Sequence, residues 1–90
     1  MALVWDETKR RKTLDERGLD FADAASMFAS GHFTRADDRR DYGEPRFITV
    51  GYLKGRFVVV TWTSRGDDQR IISMRFGHEQ EEDRFKKYVG

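Results

Sequence analysis

The sequence predicts a small α+β domain, an antiparallel sheet packed by two N-terminal helices and one C-terminal helix. Three observations lead there. Residues 46 to 76, RFITVGYLKGRFVVVTWTSRGDDQRIISMRF, hold three β-prone apolar runs joined by short glycine-containing turns. Residues 6 to 29 carry two helical patterns, and residues 79 to 88 carry a third. A chain of 90 residues is long enough for one domain, 1–90, built on a single modest core.

The first element is a short strand at Ala2 to Trp5, followed by a helix from Asp6 or Glu7 to Arg17. Asp6 can cap its first turn, and Gly18 supplies the left-handed backbone at which such a helix stops. Asp20 opens a second helical pattern, DFADAASMFAS, with Phe21, Ala24, Ala25 and Phe28 at core-facing spacing. Asp23 is available there for a reciprocal cap, and Gly31 ends the pattern.

A short strand at His32 to Arg35 leads into a polar connection that ends at Pro45, the only proline. Phe47 to Leu53 and Phe57 to Thr63 flank Lys54-Gly55-Arg56, the arrangement of a hairpin whose glycine takes a positive φ. A turn at Arg65 to Gln69 returns the chain along a strand at Arg70 to Phe76. Glu79 to Tyr88 closes the domain as a helix, with Phe85 and Tyr88 on one face and Lys86 and Lys87 near its end. The order is β-α-α-β-β-β-β-α.

Composition narrows the chemistry. With no cysteine, disulfides, thiolate catalysis and thiolate metal sites are excluded. The start, MALVWDETKRRK, lacks a sustained apolar stretch, and no run approaches the roughly 18 residues of a membrane span. A soluble cytoplasmic protein with no membrane partner is expected. The formal net charge is only +1, yet Arg46 to Arg75 contains six Lys/Arg and two acids, so the sheet concentrates positive charge where a phosphate backbone can lie.

Trp5, Phe47, Tyr52, Phe57 and Trp62 are candidates for a base-stacking platform, but their regular placement in apolar runs favours core packing. Asp37, Asp38 and Asp41 read as a solvated acidic loop, since no calcium-loop spacing accompanies them. There is no glycine-rich phosphate loop with its lysine, and no carboxylate–histidine cluster of the kind a metal nuclease needs. No metal site and no cofactor are expected.

Four pieces, in order, carry a resemblance across nearly the whole chain: WDETK at 5 to 9, RGLDFADAASMF at 17 to 28, YGEPRFITVG at 42 to 51, and TSRG followed by RIISMR at 63 to 75. With them the chain resembles the BrnT family of bacterial toxins, ribonucleases of type II toxin–antitoxin systems with a small RelE-like domain. The resemblance implies a metal-independent endoribonuclease neutralised by a BrnA-like antitoxin. It also implies operator DNA binding only through the antitoxin complex, and a toxin–antitoxin heterotetramer.

Carried over residue by residue, the resemblance marks Lys9, Arg65 and Arg75 as catalytic positions, with Arg70 flanking them as an RNA phosphate contact. Ser64 stands where family members commonly have glutamate, and Arg75-Phe76-Gly77-His78 stands where they commonly read Arg-Lys-Ala-Thr. Thr13 and the pair Glu16-Arg17 also depart from the usual residues. These departures keep a second reading open, a non-catalytic RNA-binding or antitoxin-binding protein on the toxin fold.

Cleavage of RNA without a metal uses the 2′-hydroxyl as nucleophile. The protein must align it with the departing 5′-oxygen, move protons and stabilise charge on phosphorus. Arginine suits the last task because its planar donors pair with phosphate oxygens while it stays protonated. Arg65 and Arg75 would form such a clamp if the turn after Thr63 met the end of the last strand. Lys9 would bind phosphate or donate a proton. His78 is a further acid–base candidate, since histidine is the side chain ordinarily suited to proton transfer near neutral pH, and its alternative is to cap the last helix. Phe76 is the first aromatic to test for RNA contact, or else a seal for the last helix. His32 borders the second helix or pairs with the acidic loop.

Overall fold

The computed structural model describes residues 2–89. In order these form β1 (Leu3–Trp5), α1 (Glu7–Arg17), a 3-10 turn (Phe21–Asp23), α2 (Ala24–Ala29), β2 (His32–Ala36), β3 (Phe47–Leu53), β4 (Arg56–Arg65), β5 (Asp68–Phe76) and α3 (Glu79–Val89). The element order matches the sequence expectation, with the second helical pattern divided into a 3-10 turn and α2.

Local chemistry explains the helix ends. The Asp6 carboxylate accepts from the Thr8 and Lys9 N–H groups at 2.9 and 3.3 Å, and Gly18 closes α1 at φ +71° with its N–H on the Leu14 carbonyl. Asp20 caps the 3-10 turn by accepting from the Ala22 N–H, and the same carboxylate takes Arg10 at 2.8 and 3.0 Å. Arg10 thereby ties α1 to the turn. The reciprocal cap expected from Asp23, its carboxylate accepting from the Asp20 N–H, does not form among the described residues; the Asp23 backbone carbonyl instead accepts from Ser26 Oγ at 2.9 Å.

The sheet runs β1-β5-β4-β3-β2. Strands β2 to β5 pair antiparallel, and β1 adds to the outer edge of β5 in parallel, with Leu3 opposite Gln69 and Trp5 opposite Ile71. Lys54 and Gly55 make the β3–β4 turn with φ of +53° and +80°, the two left-handed residues that match the twist of a tight hairpin. Gly66 at φ +58° opens the β4–β5 turn.

Both faces of the sheet are covered. On one, Leu19, Phe21, Ala24 and Met27 pack on Val58, Val60, Ile71 and Met74. On the other, Phe85 of α3 seals Ile48, Phe57 and Val59. Ile71 and Met74 are three residues apart and yet share the first core. A β-bulge permits this: Thr61 pairs with Ser73 and Trp62 with Ile71, so Ile72 is an extra residue in β5.

Beyond β1, α1 runs along the edge of β5, where Arg17 donates to the Met74 carbonyl at 2.7 Å. That contact occupies an acceptor an open edge would leave free. Polar groups inside the sheet are paired too, Trp62 Nε1 donating to Thr49 Oγ1 at 2.8 Å and Thr49 meeting Thr34 at 2.7 Å. Among the described residues, no helix is long and apolar enough to cross a membrane.

Candidate functional site

Residues five apart in a regular strand face opposite sides, which would separate Arg70 from Arg75. The extra residue at Ile72 cancels that difference. Arg75 lies opposite Val59 and Arg70 opposite Thr63, and strand alternation puts Val59, Thr61, Thr63 and Arg65 on the α3 side of β4. Arg65, Arg70 and Arg75 therefore share one face, with the hydroxyl-bearing Ser73 and Thr61 paired between them.

Spacing within this face decides which arginines can act together. Arg65 is two residues beyond the Thr63 that pairs with Arg70, a diagonal relationship of about 7–8 Å. Arg75 lies opposite Val59, four residues along β4 from the Thr63 that faces Arg70, because Ile72 bulges out; that is roughly 13 Å at the rise of a strand. From Arg65 to the position opposite Arg75 is six residues of β4, about 20 Å. The register thus makes Arg65 and Arg70 the neighbouring pair. Arg65 and Arg75 stand at opposite ends of the face rather than in one clamp.

Each arginine has a different tether. Arg65 is 57% exposed and lies 3.6 Å from Glu44, a long surface contact of the kind that contributes little. Arg75 is held much more tightly. Its Nη1 and Nη2 each donate to one Glu81 oxygen at 2.9 Å, and Nη1 also reaches the Phe76 carbonyl at 3.3 Å. The Arg75 guanidinium and the His78 N–H together hold the Glu81 carboxyl far below the usual carboxylate range, at about 2. Reciprocally, Glu81 raises the Arg75 pKa, so both stay charged.

The connection between β2 and β3 supplies arginines that the sequence reading passed over. Asp37, expected in a solvated loop, is buried: its carboxylate accepts from Arg39 at 2.7 and 2.9 Å and from the Tyr42 hydroxyl at 3.2 Å. Arg39 holds the Asp37 carboxyl down to about 2. Arg46 lies 4.0 Å over the Tyr42 ring, and its Nε is buried with no hydrogen-bond partner among the described residues. Pairing of Asp37 with Arg46 through the backbone continues the row of Arg70 and Thr63. The alternating acids and arginines of this loop were the available signal, but the burial of Asp37 was invisible in them.

The remaining candidates fall elsewhere. Lys9 is exposed in the first turn of α1, with no side-chain ion pair among the described residues. His78 is exposed just before α3 and donates its backbone N–H to Glu81 at 2.8 Å, half of a capping box, three residues from Arg75. Phe76 points to the opposite face. It pairs with Val58, packs against the α2-side core and carries Arg56 4.0 Å above its ring, so the sheet separates it from Arg65, Arg70 and Arg75. It also does not seal α3, because neighbours along a strand face opposite ways and Arg75 already takes the α3 side. His32 borders α2, with Nδ1 2.8 Å from the Ser30 carbonyl and its ring edge-on to Phe28. No group of three or more potential metal ligands occurs among the described residues.

Within this face the register makes Arg65 and Arg70 the neighbouring arginines. The family model described as "Ribonuclease toxin, BrnT, of type II toxin-antitoxin system" matches residues 5–81. The crystal structure of the Brucella abortus ribonuclease toxin BrnT matches with a TM-score of 0.67 at 28% identity, covering 88% of this chain and 99% of that one. A comparison with curated proteins finds no match. The ordered arginine face, the α+β topology and a family match over most of the chain lead to one assignment: this chain belongs to the BrnT family of ribonuclease toxins of type II toxin–antitoxin systems.

Proposed function

We propose that this chain is a metal-independent endoribonuclease that binds RNA across the α3 side of its sheet and is neutralised by a BrnA-like antitoxin. The observation that carries the reading is the β-bulge at Ile72, which aligns Arg65, Arg70 and Arg75 on one face. Arg65 and Arg70 grip the non-bridging oxygens of the phosphate under attack. The RNA 2′-hydroxyl attacks phosphorus, its proton leaves to a base, and the 5′-oxygen departs with a proton from an acid. The products are a 2′,3′-cyclic phosphate and a 5′-hydroxyl.

His78 lies three residues beyond Arg75, at the far end of the face from the Arg65–Arg70 pair, so it stands beside the phosphate that Arg75 anchors rather than the one under attack. Lys9, carried by the family motif at the start of α1, serves as a phosphate contact or proton donor. Arg75 anchors a neighbouring phosphate, which must compete with Glu81 for its fork. Operator binding runs through the antitoxin, in a toxin–antitoxin heterotetramer.

Purified protein should cleave single-stranded RNA in the presence of a metal chelator, and Arg70→Ala should suppress that cleavage. Intact RNA over long incubation would sink the enzymatic reading. A second reading, a binding protein without catalysis, draws support from Ser64 and from the occupied Arg75 fork. It expects retained RNA or antitoxin binding with no cleavage.

A further inference from the structure

Beyond the Arg75–Glu81 pair, the α3 face opens into a cavity of about 260 Å³ between α3 and strands β2 and β3. Its apolar surface comes from Phe33, Ile48, Phe85 and Tyr88. Tyr88 stacks on Phe33 with ring centroids 4.9 Å apart and planes inclined by 17°, yet it remains 73% exposed. Arg35 and Arg84 line the same cavity, both exposed and neither in an ion pair among the described residues.

We infer that this cavity is a nucleobase subsite, which receives the base of a nucleotide whose phosphate lies at the arginine face. The inference rests on the RNA-binding reading and deepens it. The chemistry selects the occupant. Aromatic walls recognise a flat π-face without regard to its exact substituents, and arginines at the same opening require negative charge beside it. A planar group attached to an anion meets both demands. An acidic peptide would satisfy the arginines alone, and an apolar chain only the rings.

Size and continuity point the same way. The volume falls below the roughly 300–1,000 Å³ of clefts that engulf drug-sized ligands, so it suits one ring system. Glu81 lines the cavity and also holds Arg75, so the subsite begins one side chain from the arginine face. Its Oε1 accepts from Arg75 and from His78, whereas Oε2 accepts from Arg75 alone. One lone pair on Oε2 is left for a base N–H. Adenine, cytosine and guanine offer an exocyclic amino group to that acceptor, whereas uracil offers only its N3–H, flanked by two carbonyl oxygens that repel the carboxylate.

The test is an NMR titration of the full chain with AMP, CMP, GMP and UMP, none of which reports cleavage. We expect saturable shifts at Phe33, Phe85 and Tyr88, with UMP weakest. Tyr88→Ala and Arg84→Ala, both surface changes, should each weaken binding by about tenfold, the loss of a single base stack being of that order. No shifts at millimolar nucleotide would overturn the subsite, as would inorganic phosphate reproducing the same shifts at the same affinity. Capture of an acidic antitoxin segment in the cavity, with nucleotides excluded from the free protein, would overturn it also. UMP binding as tightly as CMP would remove the Glu81 contact from the proposal. Nucleotide shifts in a chain that leaves RNA intact would support the subsite while sinking catalysis, and cleavage without shifts would do the reverse.

Discussion

Glu81 occupies both terminal nitrogens of Arg75, Nη1 to Oε1 and Nη2 to Oε2 at 2.9 Å each, and so presents to this arginine the two oxygens that a phosphate would present. The pair is part-exposed, with 41% of the Arg75 side chain and 32% of that of Glu81 accessible. Water therefore screens it.

Stability should report this pair in acid. The folded Glu81 carboxyl, at about 2, lies below its ordinary 4.5, so the unfolded chain binds more protons as pH falls. The contribution is complete above about pH 4.5 and is lost as pH drops toward 2. Solvent screening limits it to about 1 kcal/mol or less. Urea denaturation of Glu81→Gln should therefore show a loss of that size at pH 7 and a smaller difference from the parent near pH 2.5. An equal difference at both pH values would refute the ion-pair account.

Cleavage should separate the arginines by tether. Arg65→Ala and Arg70→Ala each remove one charge-stabilising donor and should slow cleavage about 100-fold, with folding stability within about 0.5 kcal/mol of the parent. Arg75→Ala should slow cleavage and also lower stability, because Glu81 and the start of α3 lose their partner. Single-turnover rates with thermal melts measure both effects. Parental rates in Arg70→Ala would remove it from the site.

Salt should weaken RNA binding in proportion to the phosphates engaged. If Arg65, Arg70 and Arg75 each meet one phosphate, the plot of log K against log salt for a single strand should slope at about −2. Arg70→Ala should reduce that slope by about 0.7. Fluorescence anisotropy on a non-cleavable 2′-O-methyl strand gives the slopes, and identical slopes for parent and variant would exclude a phosphate contact by Arg70.

The link between β5 and α3 should tolerate no side chain at Gly77. A Cβ there would overlap the Cδ2–Cε2 edge of the Phe57 ring, a rigid and buried group that cannot swing away. Gly77→Ala should destabilise the protein by roughly 1–3 kcal/mol, the usual range for overpacking. Gly31→Ala, whose Cβ would meet open space, serves as the control and should change stability far less. Equal midpoints for the two variants in urea would contradict the packing described.

The sequence alone determined the elements whose chemistry is local. The bounds of β3, the Lys54-Gly55 turn, the Asp6 cap and the Gly18 stop each follow from neighbours a few residues away, through apolar period, left-handed backbone tolerance or a short side chain returning to its own N–H groups. The family resemblance was legible in the same way, as ordered short motifs. Tertiary structure decided what those motifs do together. The parallel placement of β1 on β5, the extra residue at Ile72, the burial of Asp37 and the hold of Glu81 on Arg75 all depend on register between distant segments. One inserted residue reverses the facing of everything beyond it along a strand, and the register that reveals the insertion is set by how Ile71 and Met74 fill a shared core. That is why the arginines could be named from the sequence while their common face, and the pairing of Arg65 with Arg70 rather than Arg75, could not.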